Sequence, residues 1–165
     1  IEAAVWQTRL AREQLCEEFD ALVMKEGDAD AAAAERVQER WSALPPLSAD
    51  WESALTGRRD AALRALADAD ERYDHVDRIR DCAAERRDAL LELELMLGIP
   101  SPADLQKERL AVQVRELRDR FKRTAAGGAA SAADVVLKWA GLPGVAEARD
   151  RQRCEDIVAR LDRQR

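Results

Sequence analysis

The sequence predicts an all-α protein, an elongated bundle or array of about six or seven helices with a central antiparallel helical hairpin. Charged residues make up 36% of the chain and aromatic residues only 4%, which is typical of helices with narrow apolar stripes and charged outer faces. No alternating run of β-branched residues is long enough to predict a strand. Glycines and prolines cluster at a few points between periodic segments, where they mark the ends of helices.

Two helices are predicted before the first proline link. Residues 2–24 carry apolar side chains at helical spacing, and the polar segment 25–28 ends that helix. Asp28 or Asp30 can cap a second helix. This helix must end before Pro45, because the residue that precedes a proline is pushed out of helical geometry.

The third helix begins at Ser48, and its end is less clearly marked. The apolar pattern thins around residues 68–75, which leaves two interpretations. A continuous helix over 49–97 would form a rod of the coiled-coil kind, far longer than a usual globular helix. The alternative is a break near Tyr73–Asp77. We favour the continuous helix.

A helical hairpin is predicted within residues 82–121. Gly98 can end the first arm in a left-handed cap, and Ser101 with Asp104 forms a capping box that opens the second arm. We therefore expect a tight turn at Gly98–Ser101. The first arm carries an apolar stripe at Val76, Ile79, Ala83, Leu90, Leu93 and Leu97. The second arm carries the returning stripe at Leu110, Val114, Leu117 and Phe121.

Two shorter helices complete the chain. A linker of small residues spans 124–131, and Ser131 with Asp134 forms a second capping box. Gly141 ends that short helix, and Pro143 opens the last one. The pattern divides the chain into an N-terminal helical unit (1–66), a long hairpin (67–126) and a C-terminal helical pair (127–165).

Two stretches of the chain carry motifs of a known helical family. The first is residues 37–66, with matches at Trp41, Pro45 and Trp51, and the second is residues 88–121, with matches over Glu94–Pro102 and at Arg109, Gln113 and Val114. The first resembles the end of a bacterial helical repeat, the domain of unknown function 349, and the second resembles the segment that follows those repeats. The resemblance implies an elongated helical bacterial protein, and it supplies no catalytic residues.

The charge distribution counts against a general nucleic-acid binder, which would be basic. The net charge is −6, and residues 1–60 carry all of it, with 13 acidic and 7 basic side chains. The predicted helix 104–123 is an exception, since it has seven basic and four acidic residues. Its basic end could contact phosphates, although cations at a helix C-terminus also favour the helix dipole. The candidate phosphate-contacting residues are Arg118, Arg120, Lys122 and Arg123.

No motif for catalysis, a cofactor or a metal is present, so we expect neither an enzyme nor a bound cofactor. His75 is the only histidine, and with Glu71 one turn earlier and Asp74 or Asp68 it could hold a metal. We favour a solvated helix face for these residues. Cys16, Cys82 and Cys154 lie far apart, which favours reduced, buried thiols in a cytoplasmic protein.

These observations favour a non-catalytic intracellular interaction or scaffold module that binds a protein partner. No apolar run is long enough to span a membrane, and the first residue is Ile1, which predicts a piece of a longer bacterial protein. Trp41 and Trp51 flank the proline link and are the candidate partner-binding residues, although both could simply pack into the corner. The alternative function is an RNA- or ribosome-associated protein that uses the basic end of helix 104–123. The oligomeric state is left open.

Overall fold

The computed structural model describes residues 3–122 and 130–163, and side chains from residue 5 onward. Within these ranges the chain forms seven α-helices, one short 3₁₀ helix and no strand, which confirms the all-α fold class. Most of the predicted linker, residues 124–129, lies outside the described residues. The elements are α1 (Ala3–Met24), α2 (Ala31–Ser42), α3 (Ala49–Ala67), α4 (Ala69–Leu97), the 3₁₀ helix (Ala103–Leu105), α5 (Gln106–Lys122), α6 (Ala132–Gly141) and α7 (Ala148–Arg163).

The chain divides into two compact units. Unit 1 comprises Ile1–Ala83 and Ala140–Ala146, and unit 2 comprises Ala84–Trp139 and Glu147–Arg165. Helices α4 and α6 therefore contribute residues to both units. The three segments predicted from the sequence stay a prediction, because contacts alone do not show which parts of a chain fold independently.

In unit 1, α1 packs against both α2 and α3. Leu15, Phe19 and Val23 recur at steps of four residues, so they form one buried face along α1. The facing side chains include Leu55 and Ala62 of α3, which are fully buried. Apolar burial of this kind stabilises the unit by about 25 cal/mol for each Å² removed from water.

A single extended residue, Asp68, separates α3 from α4, with φ −138° and ψ 130°. The continuous helix predicted over 49–97 is therefore wrong, and the alternative break near Tyr73–Asp77 lies too far along the chain. The Asp68 carboxylate accepts hydrogen bonds from the amides of Asp70 and Glu71, at 2.9 and 3.0 Å. Asp68 thus caps α4, and this local bond competes with a continuous helix.

Arg72, in the first turn of α4, holds the end of α1. Its Nε donates to the carbonyl oxygen of Val23 at 3.0 Å, and its Nη1 donates to that of Gly27 at 2.8 Å. Its Nη2 also donates to the Lys25 carbonyl. The Val23 carbonyl is one of the last of α1, which have no partner within the helix, and Lys25 and Gly27 follow the helix, so one guanidinium satisfies three groups that would otherwise need water.

The predicted turn at Gly98–Ser101 is confirmed. Gly98 has a φ of 65°, the left-handed conformation that favours glycine. The Ile99 amide donates to the Glu94 carbonyl at 2.8 Å, and the Gly98 amide donates to the Leu95 carbonyl at 3.3 Å. This pair of bonds is a Schellman motif, which ends α4 and satisfies two of its last carbonyls.

The capping box predicted from Ser101 and Asp104 is wrong, because the 3₁₀ helix precedes α5 and Ser101 bonds elsewhere. The Ser101 hydroxyl donates to the Glu94 carboxylate and accepts a bond from Arg109 Nη1 at 2.6 Å. Glu94 is buried, and Arg153 of α7 donates to both of its oxygens at 2.8 and 2.9 Å. The Ser101 hydroxyl, which the sequence assigns to a helix cap, is therefore hydrogen-bonded to the buried Glu94 carboxylate.

Two other predicted caps are confirmed. Of the two candidates for the cap of α2, Asp28 and Asp30, it is Asp30 that accepts a hydrogen bond from the Ala33 amide, at 2.9 Å, and begins the helix. Ser131 Oγ accepts from the Asp134 amide at 3.2 Å, and Asp134 accepts from the Ser131 amide at 2.9 Å. The second pair is a reciprocal capping box at the start of α6.

The three cysteines, Cys16, Cys82 and Cys154, are fully buried and form no disulfide with any described residue, and their burial confirms the prediction of buried thiols. Cys16 Sγ donates to the Leu55 carbonyl at 3.5 Å. Burial is the main cause that raises the pKa of the Cys16 thiol to about 12. This thiol is therefore protonated at neutral pH and is not a nucleophile.

Candidate partner-binding surface on α5

The largest apolar side chains of α5 face solvent. Leu110, Val114, Leu117 and Phe121 are 61%, 41%, 47% and 90% exposed, and we call these four residues the α5 stripe. At 100° per residue they lie within an arc of about 60° on one side of the helix. Val112 points the opposite way and is the buried residue of α5. The prediction that the stripe packs back against the first arm of the hairpin is therefore wrong.

Polar contacts fix which face of α5 turns inward. Arg109 Nη1 donates to the Ile99 carbonyl at 2.7 Å as well as to Ser101. Six residues later, Arg115 Nη1 donates to Asp88 of α4 at 3.0 Å. Both arginines lie on the side of the helix away from the α5 stripe. They hold α5 in a rotation that leaves the apolar stripe outside.

Exposed basic side chains flank the α5 stripe on both sides. Lys107, Arg118 and Lys122 follow one edge and Arg120 follows the other, and we call these four residues the basic rim. None of the four makes an ion pair with any residue that the structure describes. The three acidic residues of α5 are half-buried on its opposite side, at Glu108, Glu116 and Asp119. The surface around the stripe is therefore positively charged.

The predicted phosphate-contacting residues belong to this surface. Arg118, Arg120 and Lys122 are exposed members of the basic rim, and Arg123 lies outside the described residues. The sequence identified their charge but placed the α5 stripe between them inside the fold. The sequence shows the steps of four, three and four residues from Leu110 to Phe121. This spacing identifies one face of the helix, but it does not show whether that face packs against the core or against another protein.

The two candidate tryptophans have different environments. Trp41 is 4% exposed, because the guanidinium carbons of Arg12 and Arg59 each lie 4.9 Å from its ring centroid. Trp51 is half-buried, with the Arg9 guanidinium 5.2 Å from its ring. Only Trp51 of the predicted pair keeps exposed surface in this conformation. Partner binding at this corner stays a prediction.

The proline link beside Trp41 is held by contacts of its own. Arg12 donates to the Pro45 carbonyl at 2.9 Å and to Glu52 at 2.6 Å. Glu52 also accepts from the Leu47 amide at 2.6 Å. Burial opposes ionisation of Glu52, but the Leu47 amide and the Arg12 guanidinium lower its pKa. The charged groups at this corner are therefore already engaged within unit 1.

The solvated-face interpretation of His75 is wrong. His75 is 8% exposed, and its Nε2 lies 3.0 Å from Oδ1 of Asp20, which is 0% exposed. The other Asp20 oxygen accepts from Arg58 Nε at 3.1 Å and from the Gly144 amide at 2.8 Å. The remaining Arg58 nitrogens donate to the carbonyls of Ala140 and Gly144 at 3.1 and 2.5 Å. We call Asp20, Arg58 and His75 the buried cluster.

The buried cluster is arranged for stability. Burial would raise the pKa of Asp20, but the bond to His75, the charge of Arg58 and the Gly144 amide hold it below its ordinary value. Both carboxylate oxygens already have partners, so the cluster leaves neither oxygen open to a substrate. The described residues include no group of three His, Cys, Asp or Glu side chains placed to hold a metal, and Glu71 is exposed.

The stability of the protein is expected to fall as the pH drops below about 4, partly through Asp20. The folded pKa of Asp20 is below the ordinary 3.8, so the unfolded chain binds its proton first. Its contribution is complete above the unfolded pKa and is lost as the pH falls through the folded value. Urea unfolding from pH 7 to pH 3 should show a shallower pH dependence in Asp20→Asn than in the wild type. Identical slopes would contradict this assignment.

Comparisons with protein-family models, curated proteins and solved structures found no match to this chain. The resemblance to the domain of unknown function 349 family therefore gains no support from them. Within the described residues, no helix is both long enough and apolar enough to cross a membrane.

Proposed function

We propose that this chain is a non-catalytic helical interaction module that binds a protein partner through the α5 stripe. The observation that supports this is the exposure of four large apolar side chains along one helix face. Their burial by a partner would be favourable by about 25 cal/mol per Å² of apolar surface. Apolar anchors at helical spacing are a recurring way in which one protein recognises a helix of another.

The remaining chemistry of the chain supports a role without catalysis. The buried cluster satisfies its own hydrogen bonds, and the Cys16 thiol has a pKa of about 12. Neither group is placed to attack or protonate a substrate. The three thiols are buried and form no disulfide with any described residue, which supports an intracellular location, where cysteines stay reduced.

Loss of partner capture in α5 stripe variants tests the proposal. Phe121→Ser and Leu117→Ser should keep the helical circular dichroism and melting temperature of the wild type, because both side chains are exposed. Proteins that co-purify with the wild-type chain should be lost from both variants. Tyr73→Ser is the matched control, since Tyr73 is 70% exposed in unit 1 and should retain them. Equal capture by the wild type and the α5 stripe variants would contradict the proposal.

A second candidate function, association with RNA, is favoured by one observation. Arg118, Arg120 and Lys122 are exposed near the end of α5 and have no ion-pair partner among the described residues. Phosphate contacts weaken steeply as salt rises, so RNA retained by such contacts would be released at high salt. RNA binding that is lost in Arg118→Glu but kept in Phe121→Ser would favour this function over a protein partner.

A further inference from the structure

The α5 stripe has the spacing of a coiled-coil seam. The steps of four, three and four residues place Leu110 and Leu117 at d positions of a heptad, and Val114 and Phe121 at a positions. The stripe covers an arc of about 60° and a length of about 16 Å. Such a narrow stripe fits one facing helix, whereas a helix that lies on a membrane needs a wider apolar face.

The orientation of α5 presents this seam to solvent. In the same heptad Val112 and Asp119 occupy f positions, opposite the seam, where Val112 is buried and Asp119 is half-buried. The contacts of Arg109 and Arg115 fix that rotation. A partner helix could therefore pair with the seam without displacing Val112, the buried residue on the opposite side of α5.

The residues beside the seam indicate the charge of the partner. Arg118 takes an e position and Arg120 a g position, while Gln113 takes the preceding g position. In coiled coils the e and g side chains form ion pairs across the seam and set the choice of partner. Two cations and no acidic residue at these positions favour a facing helix with glutamate or aspartate there.

A second copy of the chain does not fit the same seam. Pairing two α5 helices would put four cations, Arg118 and Arg120 of each copy, along one seam, and no e or g position of α5 offers a carboxylate to balance them. Like charges brought together at an interface oppose association. The charge pattern therefore selects a different helix.

We propose that the α5 stripe binds one amphipathic α-helix of a partner protein as a short coiled-coil seam, and that acidic residues flank the apolar positions of this helix. The inference rests on the proposed function and adds the class of partner to it. Lys107 and Lys122, further around α5, extend the positive surface toward the same carboxylates. Their charges accelerate the encounter, and the seam supplies most of the buried apolar area.

Two synthetic helical peptides test this inference on the full chain. Both are about three heptads long with leucine at every a and d position, and they differ only in carrying glutamate or lysine at e and g. We expect the acidic peptide to bind the wild type at least about tenfold more tightly, with an advantage that shrinks at high salt. Fluorescence anisotropy of labelled peptides measures both affinities.

Variants separate the apolar seam from its charges. Phe121→Ser should weaken both peptides, whereas the double variant Arg118→Glu, Arg120→Glu should reverse the preference toward the basic peptide. Arg160→Glu is the control for charge, because Arg160 is exposed on α7 in unit 2 and should leave both affinities unchanged. A preference that follows the charge of residues 118 and 120 supports the inference.

Each other outcome overturns a specific part of the inference. Equal affinity for the two peptides, lost in Phe121→Ser, would overturn the acidic partner and leave the proposed function standing. Binding of neither peptide, combined with Phe121-dependent binding to anionic phosphatidylserine vesicles, would replace the helix with a lipid surface. A wild-type dimer in light scattering that Phe121→Ser converts to a monomer would replace it with a second copy. If neither peptide binds and the α5 stripe variants also retain all cellular partners, the proposed function fails as well.

Discussion

Replacing Asp20 with alanine is expected to lower the free energy of unfolding by about 3–5 kcal/mol. The Asp20 side chain is 0% exposed and is the carboxylate partner of Arg58, which is itself buried. Removing it leaves the Arg58 charge without its counterion and the Gly144 amide without an acceptor. Urea unfolding at neutral pH, followed by circular dichroism, measures the loss.

Two further variants test the cause of the stability lost in Asp20→Ala. Asp77→Ala removes a carboxylate that is half-exposed and 3.5 Å from Arg80, so its cost should stay below about 1 kcal/mol. The double variant Asp20→Leu, Arg58→Met replaces the buried ion pair by apolar groups and should recover much of the stability lost in Asp20→Ala. A loss below about 1 kcal/mol in Asp20→Ala would show that water reaches the cluster in solution.

The parts of the fold that depend on neighbours in sequence could be predicted from it. Asp30, Ser131 and Gly98 act through hydrogen bonds or dihedral angles within a few residues, so the sequence alone predicts them correctly. Asp68 acts equally locally and was missed, since it lies in a charged stretch where an aspartate does not stand out. Ser101 is a further exception, because its hydroxyl bonds to the buried Glu94, so a local capping signal holds only where no tertiary partner competes for the side chain.

The buried cluster could not be predicted, because its members are far apart in sequence. Asp20 and His75 are separated by 55 residues. The ion pair of Glu94 and Arg153, outside this cluster, is likewise separated by 59 residues. Helices with 36% charged residues offer many carboxylates and bases at three- and four-residue spacing, and most such pairs lie on the surface. Only the tertiary packing selects the few that are desolvated.

The candidate site was predicted in part. The sequence predicts its charged residues, Arg118, Arg120 and Lys122, but it assigns the α5 stripe to the interior of the hairpin. Periodicity identifies a face of a helix, and it does not distinguish a core from a partner. In α5 that choice is made by the hydrogen bonds of Arg109 and by the ion pair between Arg115 and Asp88.

Leu93→Ala and Leu117→Ala form a matched pair that tests this assignment of faces. Leu93 of α4 is 0% exposed, so its truncation should destabilise the protein by about 2–5 kcal/mol through lost burial and the cavity left behind. Leu117 of α5 is 47% exposed, and the same chemical change there should cost less than about 0.5 kcal/mol. Both variants replace leucine with alanine inside a helix, so the change in intrinsic helix propensity is the same. Only packing then distinguishes their effects on stability.

Thermal and urea unfolding of the two variants, each compared with the wild type, measure that difference. A cost of more than about 2 kcal/mol for Leu117→Ala would mean that the α5 stripe is packed in the free protein, and a partner helix could then not reach it. A cost of a few tenths for Leu93→Ala would instead mean that the buried face of α4 is assigned wrongly. We expect a large loss in the free energy of unfolding for Leu93→Ala and almost none for Leu117→Ala. Leu117 then has no role in the stability of the free chain. The apolar surface of Leu117 then has its energetic consequence only when a partner covers it.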